Sequence, residues 1–488
     1  MIEDTAALYN AYASRDPRFD GVFYIGVTST GIYCRPVCTA RTPRAANCRF
    51  FDSAEAAESA SFRPCLRCRP ELAPGLAPVD DARRIASLLV HRIDEGTLAS
   101  PLSGTALPLM EQVAKQFGWS SRQIRRIVKR ELGVSPMELL QTRRLLLAKQ
   151  LLTETVLPIA EVAHASGYAS LRRFNDAFSR RYGMPPTRFR TDAPRSASAA
   201  AAGTLTLRLG YRPPFDWTAL LDFLRARQTV GVEHVTDVAY MRTVRLGARR
   251  GWIEVRNDES RHALRVTLAN ELAPVLPALL GRLRNLFDLA ARPDVIRAHL
   301  ARDRALRASV EARPGLRVPG AFDGFELAAR AILGQQITVK AATTLAGRLA
   351  AAFGEPIETP HPQLVRLSPT ATRLRGARAR DLSALGVMPA RAATILAVAA
   401  AIDDGLALEP GADAETSVAR LTGLPGIGSW TAHYIAMRAL RWTDAFPRED
   451  VVIRRQLGGV SGAEAEQMSQ AWRPWRSYAT MHLWGALG

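Results

Sequence analysis

Apolar and polar residues alternate most clearly in TLTLRLGY (204–211) and AYMRTVRLGARRGWIEVRNDESRHALRVTL (239–268). A period of two puts every second side chain on one face, so these stretches predict antiparallel strands joined by polar turns. From about Ala273 onward the period becomes helical, with Pro and Gly at segment ends. Upstream lie two similar helical blocks. LPLMEQVAKQFGWSSRQIRRIVKRELGVSP (107–136) predicts a short helix, a turn at Gly118 and a second helix starting near Ser120. On that second helix Ile124, Ile127, Val128 and Leu132 form the apolar face, while Arg122, Arg125 and Lys129 point elsewhere. LPIAEVAHASGYASLRRFNDAFSRRYGMPPTRFR (157–190) repeats the plan, with a turn at Gly167 and apolar Phe174, Phe178 and Tyr182. A long helix around MELLQTRRLLLAKQLL (137–152) joins the two blocks.

Two composition breaks mark connectors. ELAPGLAPVD (71–80) is rich in Pro and Gly, and APRSASAAAAG (193–203) is small and low in complexity. A chain of 488 residues holds about three domains on the usual ~150 residues each. The longest apolar run, Ala392 to Ile402, falls short of the ~20 residues that cross a bilayer, so no membrane partner is expected. The opening MIEDTAALYNAYASRDPRFD is polar and carries no secretory pattern, so a cytoplasmic, nucleoid-associated location with reduced thiols is expected.

Charge and cysteines then change the picture. With 65 basic and 46 acidic residues the net charge is +19, which favours a polyanion, and nucleic acid first among them. Four of the five cysteines form two short pairs, Cys34-x3-Cys38 and Cys65-x2-Cys68, separated by 26 residues. Two such pairs can surround one tetrahedral ion, and four thiolates suit zinc. Cys48 has no partner in the pattern and reads as a small core residue. Zinc keeps bound sulfurs ionised, so one of them can also be a nucleophile.

The residues 16–71, with the signature TGIYCRPVC…FRPCLRC, resemble the N-terminal domain of Ada-type adaptive-response proteins. That resemblance covers nearly all of the first 72 residues. It implies that Cys34 accepts a methyl group from a DNA methylphosphotriester, and that Cys38, Cys65 and Cys68 are purely structural ligands of one zinc. Losing a negative charge at Cys34 would strengthen DNA binding. The paired helical blocks, each trailed by G-x-x-P (133–136 and 183–186), resemble the AraC-type DNA-binding domain. This implies a recognition helix in each of two major grooves, with Arg122, Arg125, Lys129, Arg172 and Arg173 facing DNA. It also implies RNA polymerase as a regulatory partner.

LTGLPGIGSWTAHYIAMRAL (421–440) predicts a helix, a glycine-bounded hairpin and another helix. Gly426 and Gly428 would permit the tight turn and present backbone N–H groups to a phosphate. WTDAFPREDVVIRRQL (442–457) places Asp450 22 residues after Gly428, where it also suits an N-cap. With LGYRPPFDWTALLDFLRARQTVGVEHV, RNLFDLAARPDVI, RPGLRVPGAFDGFELAARAILGQQITVKAA and WRPWRSYATMHLW, this resembles the AlkA-type 3-methyladenine DNA glycosylases of the helix-hairpin-helix superfamily, from about Thr204 to the C-terminus. The resemblance implies Asp450 as the catalytic carboxylate and Trp430, Tyr434 and Trp484 as walls of an aromatic pocket for a flipped, cationic base. Trp430 stands where strand-cleaving relatives carry lysine, which implies hydrolysis by water. Gln336 aligns with the wedge that fills the flipped base's gap. No iron–sulfur cluster and no organic cofactor are expected, and the P-C-H-R motif of an O6-methylguanine domain is absent.

The expected architecture is multidomain α+β. It comprises a four-cysteine zinc module (1–76), an all-α double helix-turn-helix module (77–192) and a linker (193–203). An antiparallel-sheet α+β subdomain (204–300) and an all-α helix-hairpin-helix core (301–488) follow. The expected function is stoichiometric methyl transfer that switches on a transcription factor, combined with monofunctional excision of alkylated bases from double-stranded DNA, by a monomer. The alternative is a regulator whose glycosylase half only docks DNA.

Overall fold

The computed structural model describes residues 5–15, 19–20, 23–51, 53–72, 86, 89–90, 93, 111, 119–192 and 203–485. The expected turn at Gly118, the helix before it and the connectors over 73–80 and 193–202 lie outside the described residues. The chain forms two compact units, residues 1–90 with 106–139, and residues 91–105 with 140–488.

In the first unit a four-stranded sheet has the order β3-β1-β2-β4, where β1 is Tyr24–Val27, β2 Ile32–Cys34, β3 Cys48–Phe51 and β4 Arg63–Pro64. β1 pairs antiparallel with both neighbours, whereas β2 pairs parallel with β4, Ile32 opposite Arg63 and Tyr33 opposite Pro64. This register sets the residue after each pair, Cys34 and Cys65, side by side. Helix α1 (Thr5–Ala13) contributes Ala11 and Tyr12 to a core shared with Phe23, Ile25, Val27 and the four paired cysteines. Cys48 is only half-buried, contrary to its expected core place, because β3 is an edge strand with one side unpartnered in the sheet. Helix α2 (Ser121–Leu132) starts on a capping box, Ser120 with Gln123, and ends on Gly133 at φ 74°. Ile124, Ile127 and Val128 are buried as expected, but Leu132 is 38% exposed. At 100° per residue it stands 80° round the axis from Ile124, on the rim of the apolar stripe.

The second unit holds nearly all of α3 (Pro136–Glu154), then α4 (Ile159–Ala165), α5 (Leu171–Tyr182) and α6 (Pro186–Asp192). Gly167 makes the turn between α4 and α5, Ser170 caps α5, and Phe174 and Phe178 are wholly buried. The five-stranded sheet that follows is entirely antiparallel, in the order β5-β9-β8-β7-β6. Its strands are β5 Thr204–Gly210, β6 Glu233–Val235, β7 Ala239–Leu246, β8 Arg249–Asp258 and β9 Ala263–Ala269. On β5 the buried residues are Leu205, Leu207 and Leu209, the alternation seen in the sequence. β5 is an edge strand, and its backbone at Arg208 is met by α3. The amide of Arg208 donates to Glu154 (2.9 Å) and its carbonyl accepts from Gln150 (2.6 Å). The cores of the second helix-turn-helix and of the sheet are one continuous cluster.

The helical core carries the remaining site. The elements used below are α7 (Trp217–Arg225), α8 (Gly324–Leu333), α9 (Val339–Phe353), α10 (Pro389–Asp403), α11 (Ala414–Thr422), α12 (Ser429–Arg438), α13 (Val451–Gln456) and α14 (Arg476–Trp484). The apolar run noted above lies in α10, which buries Ala392, Ile395, Val398 and Ala399. No helix among the described residues is long and apolar enough to cross a membrane.

Candidate metal centre, DNA-facing helices and base pocket

The sulfurs of Cys34, Cys38, Cys65 and Cys68 all lie within 4.8 Å of one another, and all four residues are buried. Cys38 and Cys65 are 3.9 Å apart. Sulfurs ~2.3 Å from a tetrahedral zinc stand roughly 3.8 Å apart, so the four thiols are gathered close to the spacing that ion requires. Crowding pushes the Cys34 thiol up, since Cys38 and Cys68 hydrogen-bond to it and burial opposes its anion. It pulls Cys38 down, because Cys34 and Cys68 hydrogen-bond to its thiolate. A divalent cation offsets the repulsion that several buried thiolates would otherwise feel. Arg35 steadies the cluster from behind. It is fully buried, its amide donates to Cys68 Sγ (3.5 Å) and its Nε donates to Asp20 (2.8 Å). Exposure does not separate Cys34 (4%) from Cys65 (6%).

Arg122, Arg125 and Lys129 on α2 are exposed, as are Arg172 and Arg173 on α5. The sequence reading had not singled out Arg126, which is exposed on the same helix as the first three. Its signal was available, since it sits next to Arg125 between the buried positions Ile124 and Ile127.

The candidate base pocket is built on α12. Trp430 and Tyr434 are four residues apart and so share a face, with ring centroids 5.2 Å apart and planes 7° from parallel. Trp484, from α14, tilts 47° against Tyr434 at 6.2 Å. Asp450 caps α13, where its Oδ1 accepts from the Ile453 amide (3.0 Å). The same Oδ1 accepts from Trp484 Nε1 (3.2 Å), and Oδ2 accepts from Trp430 Nε1 (2.7 Å). One carboxylate is thus held at the pocket by both indoles while it terminates a helix. Tyr434 is nearly buried and accepts a hydrogen bond from Arg438 Nη1 (2.7 Å).

The hairpin between α11 and α12 needs glycine at one of the two expected positions. Gly426 has φ 85°, and a Cβ there would lie 2.2 Å from Thr394 Oγ1. Gly428, the N-cap of α12, has φ −85° with open space on its side-chain side, so the turn itself does not demand glycine there. Gln336 lies exposed in the loop between α8 and α9 with φ 53°. The loop is tied to the hairpin by Gln335, whose Nε2 donates to Gly426 O (2.8 Å) and Thr431 Oγ1 (3.1 Å). Gln335 and Arg438 escaped the sequence reading. Arg438 had a signal, its spacing of four from Tyr434, while Gln335 had none beyond adjacency to Gln336.

Four family models match successive stretches of the chain. They are the metal binding domain of Ada (residues 7–71), a helix-turn-helix domain (113–192), the AlkA N-terminal domain (206–323) and the HhH-GPD superfamily base excision DNA repair proteins (329–476). A Mycobacterium tuberculosis protein described as a bifunctional transcriptional activator/DNA repair enzyme AlkA is 38% identical over 100% of this chain and 97% of its own. DNA-3-methyladenine glycosylase 2 of Escherichia coli is 38% identical over 57% of this chain and 95% of its own. Among solved structures, a 3-methyladenine DNA-glycosylase from Archaeoglobus fulgidus has the same fold over 57% of this chain and 96% of its own, at 20% identity and a TM-score of 0.50. Fold and site together define a helix-hairpin-helix base excision repair core joined to a zinc-binding module and a helix-turn-helix module. The chain belongs to the family of bifunctional transcriptional activator/DNA repair enzymes of the AlkA kind.

Proposed function

We propose that this protein repairs alkylated DNA in two ways and regulates transcription in response to one of them. The observation that carries the repair reading is Asp450, a carboxylate fixed by two indoles and a helix N-terminus at the edge of an aromatic pocket. In that reading an N3- or N7-alkylated purine, flipped from the duplex, stacks among Trp430, Tyr434 and Trp484. Its positive charge favours electron-rich faces. As the glycosidic bond breaks, the electron pair leaves with the base and positive charge grows on the sugar. Asp450 attracts that charge more in the transition state than in the ground state, which lowers the barrier. Water completes the sugar, since Trp430 offers no amine to attack it. The product is an abasic site in an unbroken strand.

The second activity resides in the cysteine module. Zinc bound by the four thiols would keep them ionised and hold the module folded. The Cys34 sulfur forms a bond to the methyl carbon of a methylphosphotriester, and the carbon–oxygen bond breaks to leave an ordinary phosphodiester. The thioether offers no easy route back, so the transfer is stoichiometric. With one negative charge fewer, the module repels phosphates less. The exposed arginines of α2 and α5 then read promoter DNA, and RNA polymerase is recruited. The Cys34 assignment is supported by the CRPxC motif rather than by exposure.

The test is to incubate the full-length zinc-loaded protein with methylated duplex DNA and follow both products. Free alkylated purine in solution and one methyl on Cys34, located by peptide mass spectrometry, are expected. Methyl transfer without base release would reduce the C-terminal half to a docking module. A methyl found on Cys65 instead would overturn the acceptor assignment.

A further inference from the structure

Three elements beside the candidate base pocket are tied to one another pair by pair. They are the loop 334–338 between α8 and α9, the hairpin ahead of α12, and the first turns of α10. Gln335 joins the loop to the hairpin, its Nε2 donating to Gly426 O (2.8 Å) and to Thr431 Oγ1 (3.1 Å). Arg391 joins the loop to α10, its guanidinium donating to the carbonyls of Leu333 (3.5 Å) and Gln335. Thr394 joins α10 to the hairpin. Its hydroxyl lies 2.9 Å from both Ala390 O and Pro425 O, and it fills the space that a Cβ on Gly426 would need.

The contacts close a ring, and Gln335 takes part in two of its three sides. A single hydrogen bond that water can replace positions a loop weakly, whereas a closed set fixes it. The next residue, Gln336, is the exposed tip of the loop and has φ 53°. A residue with a side chain keeps that left-handed backbone only where its surroundings impose it. Thr431, the second acceptor of Gln335, is buried and directly follows Trp430. The tip is therefore keyed both to the turn of the hairpin and to the wall on which a base would stack.

We propose that Gln335 is a positioning residue for base extrusion. It locks the tip at Gln336 to the hairpin, so that a hairpin seated on the DNA backbone holds the tip in the gap left by the flipped base. Taking a base out of a duplex costs its stacking and pairing, and the vacated space has to be filled for the open state to last. A loop free to yield would back out of the gap and let the base return. The amide of Gln335 is spent on the hairpin, so it acts through its neighbour rather than on the base. The proposal rests on the base-excision reading above and adds to it the link between gripping DNA and opening it.

The test uses the full-length protein and two duplexes carrying the same alkylated purine, one paired and one as a single-base bulge. The bulged base has no partner to leave, and the flanking pairs close behind it, so its extrusion needs no filled gap. Gln335→Met keeps the length of the side chain and removes both donated bonds. Single-turnover excision of the paired lesion should slow about tenfold, the worth of one or two neutral hydrogen bonds. Excision of the bulged lesion and affinity for undamaged duplex should change less than about twofold. Arg391→Met, which frees the loop from α10 instead, should show the same loss confined to the paired lesion, and it serves where Gln335→Met does not fold. Equal slowing on both duplexes would make Gln335 a support of the pocket through Thr431 and overturn the proposal, as would an unchanged rate on the paired one. A 2-aminopurine placed next to the paired lesion reports extrusion apart from chemistry, and its fluorescence rise should shrink or slow in the variant. Should the wild type release no base from either duplex, the base-excision reading fails. The 2-aminopurine signal then decides the role of Gln335, and an equal rise in both proteins, or none in the wild type, overturns it.

Discussion

Trp430 donates its indole N–H to Asp450 Oδ2 at 2.7 Å, so a residue of the pocket wall also fixes the carboxylate beside it. In the proposed mechanism, recognition of the base and stabilisation of the sugar are therefore mechanically linked. Trp430→Phe keeps an aromatic face and removes the donor. Losing a hydrogen bond to a charged group costs about 1.5–3 kcal/mol, so excision should slow on the order of 10–100-fold. Single-turnover kinetics should place the loss mainly in the chemical step, with affinity for damaged DNA changed much less.

The zinc module should depend on its metal outright. One zinc per chain is expected, and Cys38→Ala should unfold residues around the four sulfurs, since a small tetrathiolate domain draws much of its stability from the ion. Metal analysis with circular dichroism checks this. A folded, reduced sample without zinc would contradict it.

Glu154 covers the amide of Arg208 on the outer strand of the sheet. Glu154→Ala leaves that donor without its partner, at a cost of about 1–3 kcal/mol. Hydrogen exchange should show the Arg208 amide protected in the wild type and fast in the variant. Equal protection would mean that the second helix-turn-helix is not held to the sheet by this contact.

His482 gives a pH dependence. Burial, and then Arg313, push its pKa down to about 4, while in the unfolded chain it returns to ~6.5. Between those values the unfolded state binds the additional proton, so stability is full above pH ~6.5 and declines as the pH falls toward 4. Burial holds His433 low as well and acts in the same direction. The thermal midpoint should drop through this window, and His482→Gln should flatten the drop.

What the sequence made legible follows the range of the interactions involved. Ligand spacing and helix caps are local. The four cysteines, the helix start near Ser120, the Asp450 cap and the alternation of β5 could be read directly. Contacts distant along the chain could not. The parallel pairing of β2 with β4, which sets Cys34 beside Cys65, has no local signature, and a three-residue strand gives little pattern. Asp450 was identifiable as a carboxylate and cap, but its bonds to Trp430 and Trp484 cross 20 and 34 residues. Leu132 misled because periodicity marks a face without marking its edge, and this last apolar position falls on the rim of the stripe.

The most direct measurement of the central claim is single-turnover excision of 3-methyladenine from duplex DNA by Asp450→Asn. An asparagine oxygen can still cap α13, but its amide would meet the Trp430 N–H donor to donor, so a loss of about 1 kcal/mol in stability is expected beside the kinetic effect. Removing the charge should cost about 3–4 kcal/mol in the transition state, a slowing on the order of 10²–10³-fold, with damaged-DNA affinity nearly retained. In the wild type the strand should stay intact until alkali is added. Undiminished excision by the folded Asn variant would remove Asp450 from the mechanism and contradict the account.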